Sequence, residues 1–157
     1  MTDPLVRVGV GVIIKCRFTD GVKFLIGQRK GSHGAGAWQV CGGHLEYNES
    51  FEECARREAL EETNLQLENP QLLTVVNDPM PLERKHYVTI FMHCEVQPKD
   101  ISDLRTMEPE KLEGDWKWVT WNELLQTKPL FAPLASLTHI AQTSNPLLLT
   151  QLLQSQS

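Results

Sequence analysis

Cysteine is sparse and unpaired in this 157-residue chain: Cys16, Cys41, Cys54 and Cys94 form no CxxC motif. Their spacings fit no zinc template, and a secreted disulfide scaffold would carry them more densely. They read as reduced thiols, mostly in strands or on a helix face. Positive charge is also short. The formal net charge is -5, against the basic balance of proteins that grip long nucleic acid by its phosphates. A small phosphate ligand stays compatible with that acidity, because a divalent cation reverses the local sign. Long apolar runs are missing too. The stretch from Val8 to Ile14 falls far short of the ~20 residues of a membrane span. The N-terminus has no basic leader and no small-residue cleavage site. These features lead us to expect a soluble, cytoplasmic protein with neither membrane nor long nucleic acid as partner. Neither repeat nor linker interrupts the chain. Hydrophobic residues make up 41% and charged residues 22%, which supports an ordinary core. The length suits a single domain over residues 1–157, with a core of about 6–145 and a tail of 146–157.

Local patterns give the elements. Val6–Cys16, rich in Val and Ile, reads as a strand. Asp20-Gly21 marks a turn, and Lys23–Gln28 returns. Gly31 to Gly36 is a flexible loop whose glycines permit close approach of a ligand or another backbone. Trp38–Val40 is a short strand running into Gly42-Gly43. Ser50 with Glu53 three residues on forms a capping box, so a helix begins there and runs to Thr63. Asn64 suits a left-handed stop. Leu72–Val76 and His86–Val96 are strands, Asp103–Gly114 is a polar loop, and Trp116–Thr120 is a further strand. Trp121 opens a short helix, and Leu130–Gln142 is a longer one. Asn145-Pro146 breaks it, leaving Leu147–Ser157 as a Leu/Gln/Ser tail that frays as a terminal helix. The order predicts an α+β fold in α/β/α layers, with a mixed central sheet and helices packed on it.

The chemistry concentrates in GHLEYNESFEECARREALEETNL, residues 43–65. Glu58, Glu61 and Glu62 stand at i, i+3 and i+4, on one helical face. Like charges so placed repel unless a cation joins them, and Mg²⁺ is a hard cation that takes carboxylate and phosphate oxygens. The plain alternative is a solvated acidic face paired with Arg56 and Arg57. Spacing alone leaves both readings open.

The wider register favours the first. The stretch resembles the Nudix box, G-x5-E-x7-R-E-U-x-E-E-x-G-U with U aliphatic, and Gly43, Glu49, Arg57, Glu58, Glu61, Glu62 and Leu65 all stand in register. Six fixed positions at about one in fifteen each give roughly one chance match in ten million. Ala59 departs from a larger aliphatic. Asn64 replaces the last glycine and tolerates the same left-handed backbone. The resemblance implies that Glu58 and Glu62 are the principal metal ligands. Glu61 is then the remaining box carboxylate, ligating metal or activating water. Glu49 and Arg57 become a structural ion pair, and the Gly43 carbonyl a further metal contact. Mg²⁺ is the implied cofactor, with Mn²⁺ as a substitute. The implied reaction is attack of water on a phosphorus of a nucleoside diphosphate linked to another group. In some members the base lies outside the box, which makes Glu108 and Glu110 candidates beside solvated loop charges.

The likeness extends over roughly residues 8–137. GQRKGSHGAGAWQ, LLTVVND, HYVTIFM, MEPEK and PLFAPL are similar to small animal and plant Nudix enzymes that hydrolyse nucleoside triphosphates. That implies conversion of a (d)NTP to a (d)NMP and diphosphate, including clearance of oxidised or modified dNTPs, and a C2 homodimer. Arg29 and His44 match positions near the phosphates. Gln39 and Thr89 match the base pocket. Phe131 matches a pocket wall, with a helix-core aromatic as its alternative. His33, His93 and His139 gain no site role. Cys41 stands where proline is usual, Asn48 where glycine is usual, and Ala132 where tryptophan is usual; the last reshapes the pocket. Three alternatives stand beside this reading: hydrolysis of isoprenyl diphosphates such as geranyl diphosphate, hydrolysis of ADP-ribose, dinucleotides or nucleotide sugars, and a non-catalytic nucleotide-binding module. Retention of all four box carboxylates speaks against the module.

Overall fold

The computed structural model describes residues 2–31 and 33–156. Met1, Ser32 of the glycine loop and Ser157 of the tail lie outside the described residues. Seven strands, β1 (Val6–Phe18), β2 (Gly21–Arg29), β3 (Trp38–Gln39), β4 (Cys41–His44), β5 (Gln71–Met80), β6 (Lys85–Val96) and β7 (Leu112–Val119), form one sheet. Among the described residues, four α-helices accompany them: α1 (Phe51–Thr63), α2 (Trp121–Gln126), α3 (Ala132–Gln142) and α4 (Leu147–Leu153). The spatial order is β3-β2-β1-β6-β5, with β4 added to β1 and β7 to β2. The β1–β6 pair is parallel and the other pairs are antiparallel. The sheet is therefore mixed, as expected of an α+β layered fold.

Strand β1 is buried without interruption from Val10 to Cys16, which requires cover on both faces. Its even positions, Val10, Val12, Ile14 and Cys16, share a core with Cys54, Ala55 and Ala59 of α1. Ile13 instead joins Leu134 and Leu137 of α3 and Leu148 and Leu152 of α4. Small residues on the inner face of α1 let it lie close to the sheet, so Ala59 is fully enclosed rather than a packing defect.

Several boundaries differ from the sequence expectation. Gly42 and Gly43, expected to end a strand, lie inside β4, which pairs with Gly9–Val12 of β1. A Cβ on Gly42 would sit 2.2 Å from the Val10 carbonyl oxygen, so only glycine permits this strand. Strand β5 continues past Val76 to Met80. It is the end strand of the sheet, where Pro79 is tolerated. Helix α3 starts at Ala132 rather than Leu130, because Leu130 bridges to Trp38 and Pro133 occupies the first turn. The polar loop is shorter than expected, since Leu112–Gly114 belong to β7.

The tail is also docked as a helix rather than frayed. Leu148 and Leu152 of α4 are buried, and the Lys15 Nζ, fully enclosed, donates to the carbonyls of Leu152 and Gln154 at 2.7 Å each. Gln156 then reaches β6, accepting from the Glu95 amide and donating to the His93 carbonyl at 3.3 Å. All four cysteines are free and buried, in strands or on α1.

Candidate active site

Helix α1 is fixed at both ends. Ser50 accepts from the Glu53 amide at 3.0 Å, and the Ser50 amide donates back to the Glu53 carboxylate at 3.4 Å. Asn64 adopts φ 64° and closes the helix through Leu60 O. Its last carbonyls are used as well: Glu62 O accepts from Trp116 Nε1 at 3.1 Å and the Met107 amide at 3.2 Å, and Thr63 O accepts from the Arg105 amide at 2.9 Å. These bonds sew the 104–111 loop to the catalytic end of α1. None was foreseen, because they join segments far apart in sequence.

Glu58 and Glu62 lie together against β4. Glu62 Oε1 accepts from the Gly42 amide at 2.8 Å. A Cβ on Gly43 would fall 2.2 Å from Glu58 Oε1, so the carboxylate fills the space that a side chain would take. Burial raises both carboxyls above the usual range, and their mutual proximity adds to it at Glu62, as does the charge of Glu108. Glu61 points elsewhere; its side chain is 52% exposed and lies 3.4 Å from Arg57.

Arg57 organises the rest. It forms a two-pronged pair with Glu49 at 2.7 and 3.0 Å, and it donates to Glu58 at 2.9 Å and to His44 O at 3.1 Å. The guanidinium holds the Glu49 carboxyl down at about 2. Asn48, in the place of a glycine, takes φ 68° and turns the loop into this pair.

Two further groups flank the carboxylates. Arg29 donates to His33 O at 2.9 Å and to Gln39 Oε1, and its guanidinium lies over the Phe131 ring at 3.9 Å. Phe131 is partly exposed, lies close to Gly34 and stands outside the core cluster that α3 shares with α4. His44 stacks on Tyr87, with ring centroids 5.5 Å apart and a 2.9 Å bond between Nε2 and the phenol oxygen. Thr89 is buried beside Gly9. A narrow cleft joins Gln39 and Glu62 to Glu108 and Lys111, which pair at 3.1 Å. Glu110 is exposed outside that cleft. Tyr87, Lys111 and Trp116 escaped the sequence reading, since a tyrosine in a strand, a loop lysine and a strand tryptophan carry no local signal.

The donor set suits a hard divalent cation. Two buried carboxylates with raised proton affinity, set in a glycine cradle, need positive charge to ionise together at neutral pH. Among the described residues, no three His, Cys, Asp or Glu side chains converge as a complete cage. That fits Mg²⁺, which binds through one or two carboxylates and completes its sphere with water and phosphate.

A mixed sheet between helical layers, with paired glutamates lodged against a glycine strand, defines a hydrolase of phosphoanhydrides built on the Nudix fold. The chain belongs to the NUDIX domain family, which matches it over residues 5–139. Solved relatives agree. A MutT NUDIX hydrolase from Burkholderia pseudomallei is 26% identical with TM-score 0.70, over 94% of this chain and 98% of that one. The MutT protein from Methanosarcina mazei Go1 is 22% identical with TM-score 0.73, over 92% and 99%. An Ap4A hydrolase from C. elegans is 18% identical with TM-score 0.68, over 92% and 98%. The last two likenesses speak to the fold alone. The protein is thus a MutT-like Nudix pyrophosphohydrolase, of a family that generally uses a divalent metal. No helix among the described residues is long and apolar enough to cross a membrane.

Proposed function

We propose that the protein hydrolyses nucleoside triphosphates, (d)NTP to (d)NMP and diphosphate, with Mg²⁺ held by Glu58 and Glu62 and by the Gly43 carbonyl. The observation that carries the reading is the buried Glu58–Glu62 pair beside Gly42 and Gly43, with His44 next along β4 and Arg29 within electrostatic reach of Glu62. Bound there, the cation neutralises phosphate charge and lowers the cost of ionising water. Arg57 fixes Glu58 and, through Glu49, the loop that carries His44. Arg29 and His44 supply donors for phosphate oxygens. Glu108, across the cleft from Glu62 and held by Lys111, takes the proton of the attacking water; Glu61, facing solvent, tunes the charge of the site. Gln39, Thr89 and Phe131 form the base pocket. The likeness to the small animal and plant enzymes adds modified dNTPs as substrates and a C2 homodimer in the cytoplasm.

The test is a substrate panel with Mg²⁺: the four dNTPs, 8-oxo-dGTP and geranyl diphosphate. Diphosphate release from dNTPs supports the reading. Orthophosphate release from geranyl diphosphate alone replaces it with the isoprenyl alternative, and no turnover by a folded protein leaves a binding module. A monomer by light scattering at micromolar concentration removes the dimer.

A further inference from the structure

Tyr87 of β6 touches His44 of β4 although β1 runs between them. Two strand spacings separate their backbones, roughly 10 Å. The side chains stand on one face of the sheet: His44 pairs with Gly9, Gly9 pairs with Thr89, and Tyr87 is the next same-face residue of β6. Gly9 makes the crossing possible. A Cβ there would lie 4.0 Å from the Tyr87 ring and 3.8 Å from Thr89 Oγ1. Any longer side chain would compete for the path that the phenol takes to His44.

The contact is a stacked pair with a hydrogen bond at its tip. The ring planes are 20° apart, and the Tyr87 oxygen lies 2.9 Å from His44 Nε2. Among the described residues the phenol has no other hydrogen-bond partner, and His44 Nδ1 has none. A phenol is a better donor than a neutral imidazole N–H, and an imidazole nitrogen is a better acceptor than a phenol oxygen. The favoured bond therefore runs from the Tyr87 hydroxyl to Nε2. A neutral imidazole that accepts at Nε2 carries its proton on Nδ1. His44 itself is exposed, which leaves that N–H free for a ligand.

We infer that Tyr87 is a positioning residue: its hydroxyl fixes His44 in the Nδ1–H form and steadies the ring, so that Nδ1 is the atom that donates to a phosphate oxygen of the substrate. This rests on the nucleotide reading, which brings a phosphate to His44. Without the phenol the imidazole exchanges between two tautomers and several rotamers, and only part of that population presents Nδ1–H.

The test has two readouts on the full chain. The first is the His44 tautomer, read from proton–nitrogen correlation spectra of the metal-free protein at about pH 8, where an ordinary imidazole is neutral. Wild type is expected to show Nδ1–H, and Tyr87→Phe, which keeps the ring and removes the hydroxyl, is expected to shift His44 toward Nε2–H. The second is kcat/KM for dGTP with Mg²⁺ in a double-mutant cycle. Tyr87→Phe should lower it by about three- to tenfold in the wild-type background, the loss of one hydrogen bond. In the His44→Ala background the same change should cost less than about twofold, because its effect passes through the imidazole. Nε2–H in wild type, or equal losses in both backgrounds, overturns the inference while nucleotide turnover stands. A folded wild type that turns over no nucleotide overturns the functional reading and the donor role of His44 together.

Discussion

The Glu62 carboxylate accepts the Gly42 amide at 2.8 Å, tying the last turn of α1 to the strand that carries the glycine pair. That bond places an acid, buried beside a second acid, where only a cation or a proton makes it comfortable. Its folded pKa is raised, so the native state binds more protons than the unfolded one. Stability from this group is full below the ordinary carboxylate pKa and is lost as pH rises through the folded value. Glu62→Gln should therefore stabilise the metal-free protein at pH 8 by about 1–3 kcal/mol. Thermal melts with EDTA and with Mg²⁺ check this: Mg²⁺ should raise the Tm of wild type and leave that of the variant nearly unchanged.

Glu49 has the opposite sign. Arg57 depresses its carboxyl to about 2, so its contribution is full above the unfolded pKa and fades as pH falls toward the folded value. Urea midpoints of wild type and Glu49→Gln should differ at pH 6 and converge between about pH 4.5 and 2. A gap that stays constant through that window contradicts the pairing as a source of stability.

Much of this site was legible because its chemistry is local in sequence. The capping box at Ser50, the left-handed Asn64 and the spacing of Glu58 to Glu62 all lie within one loop and helix. Strand β4 was illegible because its glycines are set by a non-local contact with Val10. The docking of α4 was hidden likewise: it depends on Lys15, which reads as an ordinary strand charge until α4's carbonyls are brought over it. Asp78 lies beyond the Val76 end expected for its strand, and only the partner strand and α3 reveal its burial.

The stacked Arg29–Phe131 pair predicts a binding defect rather than a chemical one. Arg29→Ala should lower kcat/KM for a dNTP by roughly thirtyfold, the loss of a charged hydrogen bond of about 2 kcal/mol. Most of that should fall in KM. Steady-state kinetics at saturating Mg²⁺ separate the two terms.

Removing residues 147–157 should cost about 3–6 kcal/mol, because Leu148 and Leu152 leave the core and Lys15 loses its carbonyls. Chemical denaturation of the truncated chain measures it. A loss below about 1 kcal/mol would show that the tail is not part of the folded unit.

The most direct test of the central claim is dGTP turnover by wild type and Glu62→Gln, side by side, with Mg²⁺ and with EDTA. Wild type should release dGMP and diphosphate with Mg²⁺ and nothing with EDTA, while the folded variant loses about 100-fold or more in kcat. Full kcat in Glu62→Gln at saturating Mg²⁺, or turnover by wild type in EDTA, would contradict the account.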